Sequence, residues 1–232
     1  MNGIKKFFRE FVLTRKIYAK LIDIKAKKLK KANLQKDGLA VIAEMQEILE
    51  NGGVKFFFDM GTLLGIIREG RLLKHDMDID VAVFADSEDE KERVTKLLVA
   101  KGCEEYLRYS ADGLGIVEQS FVYYNIKFDI NYYYRGSGTD VCYLLYSHPD
   151  KIYEEGTMSI VMLSCPTIEE TKKFEFQGIT VNVPTNAEAY LAVRYGENWR
   201  IPDKKYIYWK GPSTSPTDYI GKRTVISDKW NL

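Results

Sequence analysis

The sequence of 232 residues is poor in the residue types that build covalent or zinc-based scaffolds. Its three cysteines are widely separated and odd in number, which argues against a disulfide framework. With only His75 and His148 available, no zinc ligand set is visible. No apolar run approaches the roughly 18 to 20 residues of a membrane span, and no uninterrupted signal-peptide core is present. These absences predict a cytoplasmic protein with reduced thiols.

Net charge is also almost absent, at +1, but its distribution is uneven. Residues 1–36 contain twelve lysines and arginines and two acidic residues, a charge of +10 by count. Residues 4–31 have helical spacing of apolar side chains, with basic residues over much of the remaining surface. The apolar stripe consists of Ile4, Phe7, Phe8, Phe11, Tyr18, Leu21, Ile22 and Leu29. We therefore predict a basic amphipathic helical arm.

Two interpretations of this arm remain open from the sequence. The helix packs on its own domain or on a second copy of the chain, or it binds an anionic membrane surface. The second interpretation predicts a peripheral protein on the inner face of a membrane. Nucleic acid is not an expected partner, because the basic residues are confined to one arm and no recognition motif accompanies them.

The stretch 54–84 is the most informative part of the chain. Its predicted order is a strand at Val54–Phe58, a turn at Asp59–Thr62, a helix at Leu63–Glu69 ended by Gly70, and a strand at Asp78–Phe84. The turn contains Gly61, which lets backbone approach a ligand without an intervening side chain. This order of elements predicts a site built on a strand, a turn and a second strand.

The second of these strands contains a D-x-D pair. Residues two apart on a strand share a face, so Asp78 and Asp80 project together with Cα atoms about 6 to 7 Å apart. Two carboxylates that close repel each other, and a hard cation with oxygen ligands is the usual compensation. A solvated strand face is the alternative for an isolated D-x-D pair. The preceding strand, turn and glycine-ended helix favour the metal site.

The sequence around this pair resembles a known family. The segments Gly61-Thr62-Leu63-Leu64-Gly65 and Asp76-Met77-Asp78-Ile79-Asp80, with Arg68 and Gly70 between them, are similar to the signature of LicD-type phosphotransferases, the group of fukutin and fukutin-related protein. Two departures occur. Lys74-His75 replaces a Pro-Trp pair, and Met77 replaces a position that is commonly acidic.

The resemblance implies an α+β fold with a nucleotidyltransferase-like mixed β-sheet flanked by helices. We expect residues 37–232 to form one catalytic domain, preceded by the arm at residues 1–36. In such folds a strand beside the D-x-D strand supplies a third carboxylate, and Asp129 matches that position. Asp78, Asp80 and Asp129 are the predicted catalytic residues and metal ligands. The expected metal is Mg²⁺ or Mn²⁺, with two ions in the site.

Four further residues are candidates for binding the donor. Gly61 and Thr62 would offer backbone N–H and hydroxyl donors to a phosphate. Arg68 is a candidate phosphate clamp, with an ordinary surface charge as the alternative. Asp76 is expected to orient the site or to bind the second ion. His75 stands at a divergent position and is the weaker candidate for a general base, with Asp129 competing for that role.

The resemblance also implies a reaction. A CDP-activated donor, such as CDP-choline or a CDP-alditol like CDP-ribitol, would pass its phospho-substituent to a glycan hydroxyl and release CMP. Such transfer belongs to cell-surface polysaccharide or glycoconjugate modification. A glycan acceptor that is linked to a membrane lipid would be compatible with the basic arm. The alternatives are true nucleotidyl transfer with release of pyrophosphate, and a catalytically silent nucleotide-binding protein.

The remaining sequence predicts secondary structure more than chemistry. A second helix is expected at Leu39–Glu50, and Ser87 with Glu90 predicts a capped helix that runs to about Lys101. Gln177-Gly178 predicts a hairpin turn, and Thr185 with Glu188 predicts another capped helix ending at Tyr195-Gly196. The tail from Lys210 is rich in Gly, Ser and Pro and is expected to be irregular.

Overall fold

The structure is a computed structural model that describes residues 2–228 and 230, with side chains described for residue 18, residues 20–228 and residue 230. The predicted apolar positions Ile4, Phe7, Phe8 and Phe11 lie outside the described side chains. Among the described residues, no helix is both long enough and apolar enough to span a membrane.

The fold contains four α-helices, one π-helical turn, one 3₁₀ turn and ten strands within the described residues. The helices are α1 Asn2–Asn51, α2 Met60–Leu64, α3 Glu88–Ala100 and α4 Ala187–Tyr195, with the π-helical turn at Gly65–Glu69 and the 3₁₀ turn at Tyr208–Lys210. The strands are β1 Phe56–Phe58, β2 Asp78–Phe84, β3 Glu104–Ala111, β4 Gly115–Tyr123, β5 Ile126–Arg135, β6 Thr139–Tyr146, β7 Thr157–Pro166, β8 Thr171–Phe176, β9 Ile179–Pro184 and β10 Thr214–Val225.

Eight of these strands form one mixed sheet in the order β1-β2-β5-β4-β3-β10-β7-β6. β2 and β5 pair in parallel, whereas the other pairings in this sheet are antiparallel. The end of β5 also pairs with β6, so the strand order returns on itself. β8 and β9 form a separate hairpin. The predicted α+β class with a mixed sheet is confirmed.

Helix α1 is a single helix of 50 residues, where the sequence predicted two. The predicted helices at residues 4–31 and Leu39–Glu50 are continuous, and Gly38 lies inside α1. A Cβ at Gly38 would be 2.8 Å from Leu72 Cδ1, so a larger residue there would require the Leu72 side chain to shift. The predicted domain division at residue 36 falls inside α1, and it stays a prediction.

The two ends of α1 differ in burial. Ile42, Met45 and Leu49 are fully buried against the sheet, as the predicted amphipathic pattern requires. In contrast, the described part of the N-terminal stripe is exposed, with fractional exposures of 68% at Tyr18 and 58% at Leu21. Packing of these side chains on their own domain is therefore wrong. A second copy and a membrane surface remain as alternatives.

Most local predictions around the sheet are confirmed. Ser87 is the N-cap of α3, and its hydroxyl accepts from Glu90 N–H. The β8–β9 hairpin turns at Gln177-Gly178, where both residues have positive φ, 49° and 84°. The capping box at Thr185 is not formed, because α4 begins after Asn186 and the Thr185 hydroxyl donates to the Glu170 carbonyl.

The irregular tail predicted from Lys210 is wrong, because β10 lies between β3 and β7 in the sheet. Its Pro216 lies at the edge of a register shift against β7, where the ladder tolerates a residue without an N–H. Gly221 is needed because a Cβ there would be 2.4 Å from Leu145 Cδ2. Within β10, Pro216 therefore lies at a register shift and Gly221 lies at a close contact with Leu145.

Candidate active site

The turn after β1 is fixed by a buried carboxylate. Asp59 is the N-cap of α2 and accepts from Met60 N–H at 2.6 Å. It also accepts from the hydroxyl groups of Tyr133 and Tyr190, at 2.6 and 2.5 Å. These bonds join the turn to β5 and α4. The sequence analysis placed Asp59 in the turn without a role, because both tyrosines are distant in the chain.

Gly61 and Thr62 lie at the start of α2, directly beside the D-x-D strand. A Cβ on Gly61 would be 2.6 Å from Asp76 Oδ2, so a larger residue there would require the Asp76 side chain to move. The buried Thr62 hydroxyl accepts from Asp80 N–H at 2.9 Å. The two residues therefore set the position of the aspartates, and their predicted contact with a phosphate stays a prediction.

The parallel pairing of β2 with β5 brings the predicted carboxylates together. Asp80 lies opposite Asp129, and Asp78 lies opposite Lys127. Residues directly opposite in a ladder share a face, and so do residues two apart on one strand. All four side chains therefore project to one side of the sheet. The structure places the three predicted aspartates in one cluster.

Lys127 is the residue of this cluster that the sequence analysis missed. Its ammonium donates to Asp129 Oδ2 at 2.6 Å and to Asp78 Oδ2 at 3.3 Å. The second oxygen of Asp129 accepts from the Ser120 hydroxyl at 2.6 Å. A usable signal existed, because Lys127 and Asp129 have the same spacing on β5 as Asp78 and Asp80 on β2.

Negative charge dominates the electrostatics of the cluster. Burial and the neighbouring Asp78 and Asp129 carboxylates raise the pKa of Asp80 well above its usual value. Burial and then Asp78 raise the pKa of Asp76 to about 7, although Arg68 and Lys31 act in the opposite direction. Each shift reflects unfavourable ionisation, which a bound cation would relieve.

The lysine shows the opposite response to the same field. Burial acts to lower the pKa of Lys127, but the carboxylates of Asp129 and Asp78 outweigh it and hold the pKa well above its usual value. The pKa of Asp129 is raised by burial, with Lys127 acting against this shift. Lys127 is therefore a firmly charged partner of the cluster.

Glu118 on β4 is a second member that the sequence analysis missed. It lies opposite Asn131 of β5 and two residues from Ser120 on β4, so it shares a face with Ser120 and Asp129. Burial, followed by the charge of Asp129, raises the pKa of Glu118 to about 8. The Asn131 Nδ2 group is buried and has no hydrogen-bond partner among the described residues. No local motif marks Glu118, since only the strand register brings it to this face.

A cavity of about 1030 Å³ opens beside the cluster. Its lining includes Gly61, Arg68, Asp76, Tyr195, Trp199 and Tyr206. The Arg68 guanidinium donates to the Trp199 carbonyl at 3.1 Å and to Glu69, so it joins the π-helical turn to the loop after α4. The neighbouring His75 side chain is 73% exposed and lies 3.6 Å from Asp76 Oδ1.

The cluster has the donor chemistry that a hard divalent cation requires. Asp78, Asp80 and Asp129 offer carboxylate oxygens from two adjacent strands, which suits Mg²⁺ or Mn²⁺. As they stand, no three acidic, histidine or cysteine side chains in the described part of the chain are grouped closely enough to hold an ion. The Lys127 ammonium lies between two of the carboxylates. The donor set therefore suits a divalent ion, and its binding at this cluster stays a prediction.

Comparison with known proteins agrees with this arrangement. No curated protein matches the chain. A family model described as "LicD/FKTN/FKRP, nucleotidyltransferase domain" matches residues 53–186. That range is more than half of the chain, and it contains the turn after β1, the D-x-D strand and Asp129. The chain therefore belongs to the LicD/FKTN/FKRP family, whose members are generally of transferase type.

Proposed function

We propose that this protein is a metal-dependent phosphotransferase with a nucleotidyltransferase-like fold. It moves phosphocholine or an alditol phosphate from a CDP-activated donor to a glycan hydroxyl and releases CMP. The observation that supports this reaction is the parallel register of β2 and β5, which places Asp80 opposite Asp129 with Asp78 on the same face. Cell-surface polysaccharides and glycoconjugates are the proposed acceptors.

The proposed chemistry is a displacement at phosphorus. A bond forms between the acceptor oxygen and the distal phosphorus, and the bond from that phosphorus to the CMP oxygen breaks. The hydroxyl proton passes to a carboxylate of the cluster, with Asp129 as the first candidate. Asp78, Asp80 and Asp129 would hold Mg²⁺ or Mn²⁺, which when bound supplies positive charge against the phosphoryl oxygens.

The cavity beside Asp76 is the proposed place of the donor nucleotide. Its volume of about 1030 Å³ lies at the upper end of the usual range for small-molecule sites. Tyr195, Trp199 and Tyr206 give it an aromatic side, which suits a planar base. Gly61 and Asp76 line the side nearest the aspartate cluster, so a diphosphate directed toward them would reach Asp78 and Asp80.

The arm supports a membrane as the proposed partner. Helix α1 passes close to the cluster, since the charges of Lys127 and Asp78 act on Lys30 and the charge of Lys31 acts on Asp76. The exposed apolar side chains at residues 18–29 lie on the same helix, directly before Lys30 and Lys31. A basic, apolar helix in this position would hold the site against an anionic cytoplasmic leaflet that carries a lipid-linked glycan.

Identification of the leaving product tests the proposed reaction most directly. The full chain is incubated with Mg²⁺, a short glycan acceptor and a panel of CDP-linked donors and nucleoside triphosphates. We expect CMP from a CDP donor, with Asp80→Asn inactive and the exposed-site control Asp112→Asn fully active. Release of pyrophosphate from a triphosphate would identify a nucleotidyltransferase instead. Donor binding without turnover by the wild type would identify a silent binding protein.

A further inference from the structure

We propose that the Lys127 ammonium takes one of the two cation positions of the aspartate cluster, so that the site binds a single divalent ion. This inference rests on the proposed function and refines its expected pair of ions. Two-ion sites hold their metals about 3.5 to 4 Å apart and clamp the attacking and leaving oxygens of a displacement. Here a side chain of the protein would perform the task of one ion.

The position of Lys127 is the position of a bridging cation. Its Nζ lies 2.6 Å from Asp129 Oδ2 and 3.3 Å from Asp78 Oδ2, so it joins the carboxylates of two neighbouring strands. A second metal ion that bridged the same carboxylates would have to displace this ammonium. Displacement would leave a charged lysine without its partners in a site that is largely buried.

The fold holds Lys127 in this position through two features. The parallel register places it opposite Asp78 and two residues before Asp129, on one face of the sheet. The Ser120 hydroxyl bonds Asp129 Oδ1, which leaves Oδ2 directed to the ammonium. Lys127 is therefore bonded to two members of the cluster, through a short charge-assisted contact to Asp129 and a longer one to Asp78.

Asp80 is left as the centre of the remaining ion site. Within the described residues its carboxylate accepts no side-chain hydrogen bond, and its backbone N–H is held by Thr62. Asp78 Oδ1 is also outside the contacts to Lys127, which use Oδ2. One divalent ion can therefore bind Asp80 and Asp78 without disturbing the lysine, and substrate oxygens and water would complete its coordination. In this refinement Asp129 pairs with Lys127 and Ser120 and does not bind the ion itself.

The ammonium also has a donor to spare. A lysine carries three N–H groups, and the described contacts use two of them. The side chain is 23% exposed, and the third N–H has no partner among the described side-chain contacts. It can donate to a phosphoryl oxygen of the donor, which is the contact that the missing second ion would otherwise make.

The ion count of the full chain tests this inference. Mn²⁺ binding is measured by titration calorimetry and by the loss of the free-ion electron paramagnetic resonance signal. We compare wild type with Lys127→Met, Lys127→Arg and Asp80→Asn, and use Lys222→Met as a matched control on an exposed ion pair. We expect one ion per chain in wild type, Lys127→Arg and the control, two in Lys127→Met, and none in Asp80→Asn.

Each outcome decides a different statement. Two ions in wild type would overturn the role of Lys127 and leave the proposed transfer intact, whether or not the variants fold. A single ion in a folded Lys127→Met protein would also overturn it. Absence of Mn²⁺ binding in wild type, together with CMP release in the presence of a chelator, would overturn the metal dependence of the proposed function itself.

Discussion

The aspartate cluster on β2 and β5 and the exposed segment of α1 at residues 18–29 differ in how far the chain satisfies its own side chains. In the cluster, Lys127 is bonded to both Asp78 and Asp129 across the two strands. In the α1 segment, Tyr18, Leu21, Ile22 and Leu29 are about half exposed or more. The first region is bonded internally, whereas the second leaves its apolar side chains exposed.

The two regions also differ in the sign of their charge. The aspartate cluster contains carboxylates whose ionisation is unfavourable, so a cation bound there would be stabilised. The α1 segment has lysines beside its apolar side chains, and its Lys27–Asp23 pair is an exposed i,i+4 contact worth only a few tenths of a kcal/mol. An acidic site and a basic arm in one chain suit an enzyme whose substrate arrives at an anionic surface.

After the complete loss of activity expected of Asp80→Asn, the largest effect is expected from the removal of the Asp129 carboxylate. The change Asp129→Asn removes a carboxylate that pairs with Lys127 and lies opposite Asp80. We expect transfer to fall about a thousandfold, which corresponds to about 4 kcal/mol in the barrier. The rate of CMP release measures this loss, with Asp112→Asn as the exposed control.

The fold must survive for this result to concern catalysis. Removal of Asp129 also leaves Lys127 with one weaker partner, so a modest fall in the melting temperature is expected alongside the loss of rate. Turnover close to wild type in a folded Asp129→Asn protein would show that Asp129 is a structural partner of Lys127 and Ser120 alone.

The aspartate strand could be predicted because its signals are local. The alternation of Asp78 to Phe84 and the glycine at position 70 depend on neighbouring residues, and the structure has both as expected. Lys127 and Glu118 were missed because they reach the cluster only through strand register. A single sequence shows which residues share a face of one strand, but it does not show which strands are neighbours.

The errors elsewhere have related causes. The Gly, Ser and Pro content of the tail from Lys210 was interpreted as a sign of irregular structure, yet Pro216 lies at a register shift within β10. The exposure of α1 at Tyr18 and Leu21 could not be derived either, because an apolar stripe has the same spacing whether it is covered or bare. Local propensity is overridden in each case by a contact distant in the chain.

A smaller effect, on the free energy of unfolding, is expected from replacing the Glu118 carboxyl group beside the cluster. Its folded-state pKa of about 8 lies above the ordinary value of 4.5, so between these limits the unfolded chain releases a proton that the folded chain keeps. Stability of the wild type therefore falls as pH rises through this window. We expect Glu118→Gln to be more stable than wild type by about 1 to 3 kcal/mol at pH 7.

Urea unfolding in the presence of a chelator measures this difference. It should vanish near pH 4, where the wild-type carboxyl is protonated in both states, and it should be absent in the exposed control Glu155→Gln. Equal stability of Glu118→Gln and wild type at every pH would mean that Glu118 ionises freely and does not belong to the charged cluster.

The smallest effect is expected from removing the α1 segment, and it bears most directly on the comparison between the two regions. Deletion of residues 1–28 keeps Lys30, which lies over the Trp230 ring at 5.3 Å, and the buried Leu34. The domain should therefore stay folded, and transfer to a short soluble acceptor should be unchanged. Transfer to a lipid-linked acceptor should fall about tenfold, because attachment raises the local concentration of acceptor without altering the site.

Vesicle binding separates a membrane from a second copy of the chain as the partner of this segment. The full chain should bind vesicles that contain phosphatidylserine, and binding should weaken as salt rises because screening shortens the reach of the lysines. The double substitution Leu21→Ser with Ile22→Ser should weaken vesicle binding, although it leaves the net charge and the helix length unchanged. Dimerisation that these two substitutions abolish, in a chain that ignores anionic vesicles, would assign the exposed face to a second copy.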